Sequence, residues 1–270
     1  DAQFSLREQL TCKLEEIILQ NAATLSFLSF VDLSFLVPAV LQCRRLRELD
    51  CEALRLSAEE TKQLIASCPN LESLCVRYVD LSALLSSSLP LSTIRISQGA
   101  VRSEHVPLFE LHPQLTDLEL PVAALSAEQT EAWLTTLSRL PALRSLRLTF
   151  SAVARGSEQQ QQQQQYNTPI LFPQLRYLGV HGSVWRLPAV EAPLLECLHA
   201  TELTLPLLEL LRRFPNVQSL CIAEPRVPDE VALSTAIELL RAERAWAKLE
   251  ALYLRVTDMS WLQALLPYLG

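Results

Sequence analysis

Glycine is scarce in this chain, five residues in 270. None of Gly99, Gly156, Gly179, Gly182 and Gly270 stands in a phosphate-cradling pattern. Sites that hold nucleotides by their backbone need glycines at fixed spacing, so that class of function is not expected. The hydrolase signatures G-x-S-x-G and H-E-x-x-H are equally missing. His105, His112, His181 and His199 are scattered along the sequence, so the chain is not read as an enzyme and no cofactor is expected. Positive charge is not in excess: the net charge is −7, which argues against a nucleic-acid-binding surface. No secretory leader is expected. Residues 23–41 are nearly charge-free and almost long enough to cross a bilayer, but Asp32 and Pro38 interrupt them, and no membrane span is expected. Seven cysteines, Cys12, Cys43, Cys51, Cys68, Cys75, Cys197 and Cys221, form an odd set. They are read as free thiols in a reducing compartment, hence an intracellular protein, cytoplasmic or nuclear, with an organelle left open.

What the chain does contain is one short pattern, L-x-x-L-x-L, over and over. It is clearest at Leu143, Leu146 and Leu148, led in by Pro141. Ten copies begin at Leu25, Leu46, Leu71, Leu91, Leu115, Leu143, Leu175, Leu195, Val217 and Leu249. Their mean spacing is about 25 residues, inside the range of leucine-rich repeats. A proline stands just before the first anchor in seven of them: Pro69, Pro90, Pro113, Pro141, Pro173, Pro193 and Pro215. Proline there stops the preceding segment and sacrifices no ladder donor. Residues 56–64 and 125–133 are nearly duplicated. Ser57 with Glu60, and Ser126 with Gln129, form capping boxes that start helices at the same place in the period.

The chain resembles the leucine-rich repeat family over residues 20–270. The segments 43–49 and 68–74, each opening on a cysteine, look most like the intracellular cysteine-containing repeats of F-box and ribonuclease-inhibitor-like proteins. The resemblance implies an α/β fold: a curved solenoid with parallel strands on the concave face and helices or irregular turns on the convex face. The sequence departs from the family where asparagine or cysteine often follows the last anchor by three residues. Leu33, Leu54, Val79, Gly99 and Ala123 stand there instead, so no asparagine ladder is expected.

The domain reading is a capping helix in residues 1–22, then a solenoid of about ten repeats over 23–270. Ser5 and Glu8 are expected to start the capping helix, with Leu6, Leu10, Leu14, Ile17 and Ile18 on one face. Residues 154–168 hold the glutamine run 159–165 and are expected to form a flexible loop. Residues 227–246 and 260–266 read as helices. Residues 266–269 look like the start of another repeat, and no methionine begins the chain, so the sequence reads as a processed product, an excised piece or the ordered part of something longer.

Parallel stacking puts equivalent residues in columns. The residue between the last two anchors faces the concave side, giving Ser29, Asp50, Cys75, Arg95, Glu119, Arg147, Gly179, His199, Cys221 and Tyr253. The neighbouring column contains Phe27, Asp117, Tyr177 and Cys197. From these, Asp50, Arg95, Asp117, Glu119, Arg147, Tyr177, His199 and Tyr253 are taken as the partner-binding set. Arg95, Glu119 and Arg147 alternate in sign and read as a charge ladder in preference to an acidic-peptide site. Cys197, His199 and Cys221 have zinc-ligand chemistry but no fourth ligand or regular spacing, so no metal is expected. The expected function is a non-catalytic protein-interaction scaffold or subunit of a larger assembly. The alternative is the substrate-recognition domain of an F-box-type ubiquitin-ligase adaptor whose F-box lies outside this chain.

Overall fold

A computed structural model describes residues 2–30, 36–99, 101–122, 127–150, 169–182, 189–201, 214, 216–222, 248 and 250–254. The glutamine tract, the expected helices 227–246 and 260–266, and Ser126 of the second capping box lie outside them. The chain divides into two compact units, Asp1–Pro121 and Val122–Gly270.

In the first unit α1 (Ala2–Asn21) precedes β1 (Phe27–Ser29), α2 (Val37–Val40), β2 (Glu48–Arg55), α3 (Ala58–Ser67) and β3 (Ser73–Tyr78). Then come α4 (Leu81–Leu85), β4 (Thr93–Ile96), a 3-10 helix (Ser103–Leu111) and β5 (Asp117–Val122). The strands pair in sequence order and all in parallel. In the second unit α5 (Ala127–Ser138) and β6 (Ser145–Phe150) lead to β7 (Ile170–Leu171), β8 (Tyr177–His181), β9 (Val190–Glu191) and β10 (Cys197–Ala200). β11 (Ser219–Ile222) and β12 (Ala251–Leu254) follow. There the parallel order is β6-β8-β10-β11-β12, with β7 and β9 forming a separate parallel pair.

A strand starts two residues after the first anchor of each of the ten motif copies. The alternation of buried and part-exposed residues along β4, β5, β6, β10 and β11 follows the leucines. Leu49, Leu74, Ile94 and Leu118 stack as a buried column in the first unit, and Leu146, Leu178, Leu198 and Leu220 do so in the second. Each such side chain contributes ~1.5–3 kcal/mol of gross burial, which is why one repeat depends on its neighbours. Buried residues of the intervening helices close the core: Leu64 of α3, Leu84 of α4, Phe109 of the 3-10 helix, Trp133 and Leu137 of α5.

A second buried position is the residue before each lead-in proline: Cys68, Leu89 and His112 in the first unit, and Leu140, Phe172, Ala192 and Phe214 in the second. Its polar members bond back to the preceding repeat. Cys68 Sγ donates to the Cys43 carbonyl at 3.4 Å, and His112 Nε2 lies 2.8 Å from the Leu85 carbonyl. These contacts tie adjacent turns where an asparagine ladder is lacking. Leu54 and Val79, at the ladder positions, are simply buried.

Two expectations for the first helix need correction. It starts at Ala2, so Ser5 lies inside it and not at its start. Of the expected apolar face Ile18 is buried, whereas Leu14 is exposed and Ile17 is 55% exposed. The helix packs toward α2, and one short partner cannot cover a full apolar stripe.

The first expected capping box is formed. Glu60 N donates to Ser57 Oγ at 3.3 Å, and Ser57 N donates to Glu60 Oε2 at 2.8 Å. The Ser57 hydroxyl and amide together hold the Glu60 carboxyl below its ordinary value of 4.5. A depressed carboxylate stabilises the fold above its unfolded pKa, and that contribution disappears as pH falls through the folded value. Ser57→Ala is therefore expected to cost about 1 kcal/mol at pH 7. The gap to the native protein should narrow below pH 4.5, where Glu60 begins to protonate. Urea-unfolding midpoints at neutral pH and at acid pH check both statements.

Candidate functional site

The L-x-x-L-x-L register decides what stands on the open face of the strands, opposite the leucine core. In the first unit Ser29, Asp50, Cys75, Arg95 and Glu119 align on successive strands. Phe27, Glu48, Ser73, Thr93 and Asp117 form the next column. Arg95 grips Asp117 on the adjacent strand bidentately, Nη2 to Oδ2 at 2.7 Å and Nε to Oδ1 at 3.3 Å. Both side chains are partly shielded, so this pair is better defined than a fully exposed one. The alternating signs read from the sequence thus include a forked pair that crosses from one column to the next.

Asp50 stands two strands from Arg95, with Cys75 between them. Burial first, then a hydrogen bond from the thiol to the Asp50 carboxylate, pushes Cys75 up to about 12. Burial likewise pushes Cys68 up to about 12 and raises Cys43 and Cys221. These four thiols stay protonated at neutral pH and offer no ready nucleophile.

In the second unit Arg147, Gly179, His199, Cys221 and Tyr253 align. The column beside them is Ser145, Tyr177, Cys197, Ser219 and Ala251. Here three candidate residues meet. The Arg147 guanidinium lies over the Tyr177 ring, 4.6 Å from its centroid. The Tyr177 hydroxyl is 3.1 Å from His199 Nδ1. Gly179 makes the stacking possible, because a Cβ there would sit 3.0 Å from Arg147 Cγ and 3.2 Å from Tyr177 Cε1. Burial raises the Tyr177 pKa, opposed by the nearby guanidinium. Tyr253, on β12, is 62% exposed and in register with Cys221.

His181 belongs to the same cluster, its ring 4.8 Å from that of His199 in an edge-to-face arrangement. The sequence reading left it among the scattered histidines. The signal was available: strand alternation carried two residues past Gly179 puts His181 on the same face. Among the described residues no group of three or more histidine, cysteine or acidic side chains is arranged to hold a metal ion. No helix among them is long and apolar enough to cross a membrane.

Parallel strands at every motif copy, closed by helices and short segments that fill the core, define an α/β leucine-rich repeat fold. Among known proteins the chain is similar to F-box/LRR-repeat protein 12 of Homo sapiens, 30% identical over 198 residues, 69% of this chain. The match covers 58% of that protein's length. No protein-family model matches the chain.

Proposed function

We propose that the chain is a non-catalytic protein-interaction module, a scaffold or a subunit of a larger assembly, that binds through the open face of its strands. The observation that carries this reading is the row Arg147, Tyr177 and His199 on three adjacent strands, with Tyr253 exposed beyond it. Tyrosine and arginine dominate binding hot spots, and side chains already ordered by contact with each other lose less freedom on association. Asp50, Arg95, Asp117 and Glu119 act as polar contacts that orient the partner. The net charge of −7 favours protein over nucleic-acid partners, and the protonated thiols suit a reducing, intracellular setting.

Mild affinity capture with this chain is expected to recover a stoichiometric protein partner. The double variant Tyr177→Ala, Tyr253→Ala should weaken that capture by about 30-fold, the effect of losing roughly 2 kcal/mol at a hot spot. Capture at native strength would remove the open face of the second unit as the binding site.

The similarity to an F-box/LRR-repeat protein supports a narrower, second reading. In it the repeats are of the cysteine-containing type and serve as the substrate-recognition part of an F-box-type ubiquitin-ligase adaptor. Co-purification of ubiquitin-ligase subunits with the full-length product is the expected result; their absence favours the scaffold reading.

A further inference from the structure

The first unit holds a cavity of about 360 Å³ at the carboxyl ends of β3, β4 and β5, within the roughly 300–1,000 Å³ of ligand sites. Tyr78, the last residue of β3, forms one wall. Its ring edge stands against the turn after β4, at Gly99. Gly99 has φ +111°, and a Cβ there would meet the ring at 3.3 Å. Ile96, Val101 and Leu120 back the cavity, but all three are buried, so its accessible wall is mostly polar.

The rim is polar and carries more negative than positive charge. Asp80 and Glu104 line it together with Arg102. Asp80 Oδ1 accepts from Ala83 N at 3.1 Å, which leaves its second oxygen for a ligand. Arg102 is 3.6 Å from Glu104, with both side chains largely exposed, a contact that holds little. His105 adds no cation at neutral pH. Its Nδ1 accepts from Arg102 N at 3.0 Å, so Nε2 carries the hydrogen toward Ser82 Oγ, also at 3.0 Å. Burial, the largest influence on it, lowers the His105 pKa.

A polar wall with one exposed aromatic ring and two carboxylates suits one kind of side chain: one that ends in a cationic tip. We propose that this cavity receives an arginine or lysine side chain of a protein partner, its stem along the exposed Tyr78 ring and its charge between Tyr78, Asp80 and Glu104. None of these residues belongs to the Arg147–Tyr177–His199 row. Undiminished capture by the Tyr177→Ala, Tyr253→Ala variant would leave this proposal standing, and the reverse holds too.

The test is titration of the isotope-labelled 270-residue chain with N-acetyl-L-arginine methylamide, followed by NMR. Saturable shifts are expected at the Ser82 and Gly99 amides and the His105 ring, with a dissociation constant on the order of millimolar. Tyr78→Leu keeps apolar cover over Gly99 and Glu104→Gln keeps shape; each should weaken binding about fivefold, the fold-change of one exposed cation contact. Arg102→Ala should tighten it by removing a competing cation, which a merely structural disturbance would not do. A five-residue peptide with a central arginine should bind at least as well. Shifts that never saturate, or equal shifts from the glutamate or norleucine derivative, would overturn the proposal. So would native affinity in Tyr78→Leu and Glu104→Gln, or exclusion of the peptide while the single residue binds.

Discussion

Leu146→Asp is expected to abolish cooperative folding of the second unit. Leu146, the second residue of β6, is 1% exposed and pairs in register with Leu178. The column continues through Leu198 and Leu220, both fully buried. Aspartate would leave a cavity worth about 2–5 kcal/mol and also place a carboxyl among apolar neighbours with no partner, costing several kcal/mol more. The sum reaches the whole stability of an ordinary domain, roughly 5–15 kcal/mol. Leu146→Met, which keeps volume and polarity, should cost less than ~1.5 kcal/mol. Circular dichroism during urea unfolding distinguishes the two. A cooperative transition at the native midpoint for the aspartate variant would contradict the leucine column.

Gly182→Ala is expected to be the most damaging single-methyl change among the described residues. Gly182 has φ +86°, and an added Cβ would lie 2.5 Å from the Phe150 carbonyl oxygen. The left-handed conformation alone costs a non-glycine residue about 1–2 kcal/mol. The clash adds to it, because a backbone oxygen cannot rotate away as a side-chain tip can. Relief would pull Gly182 N from Thr201 Oγ1, now at 2.8 Å. A total of about 3 kcal/mol or more corresponds to a melting temperature lower by roughly 6–12 °C. Gly99→Ala is the control. Its φ is also positive, but the obstacle is the Tyr78 ring at 3.3 Å, a side chain that can yield. A drop for Gly99→Ala as large as that for Gly182→Ala would show that backbone conformation, and not the Phe150 contact, sets the cost.

The strands were legible because their signal is periodic and repeated. Leucines two and three positions apart, returning about every 25 residues, permit one register, since a one-residue slip would turn every anchor outward. That register also placed the open-face columns residue by residue. The capping box at Ser57 and Glu60 was legible for the same reason, being local: both partners lie within one helical turn. The first helix was misjudged because its apolar stripe says nothing about how much of it a neighbour covers. Ile17 is left exposed while Ile18 is buried.

Pairwise contacts across strands were not legible. Strand alternation puts Arg95, Asp117 and Glu119 on one face, but side-chain length and direction decide that the forked pair forms with Asp117. The stack of Arg147 on Tyr177 depends on the missing side chain of Gly179. His105 seemed unremarkable in the sequence; backbone and hydroxyl partners 3 and 23 residues away make it part of a cavity wall.

The sequence by itself thus determined the repeat, the parallel stack and the face each residue occupies, because hydrophobic period is a one-dimensional property that strand geometry converts into position. Only the tertiary structure decided which of those residues touch, how deeply the thiols and histidines are buried, and where a cavity opens. Those outcomes depend on distances between turns of chain about 20 residues or more apart, which no local pattern encodes.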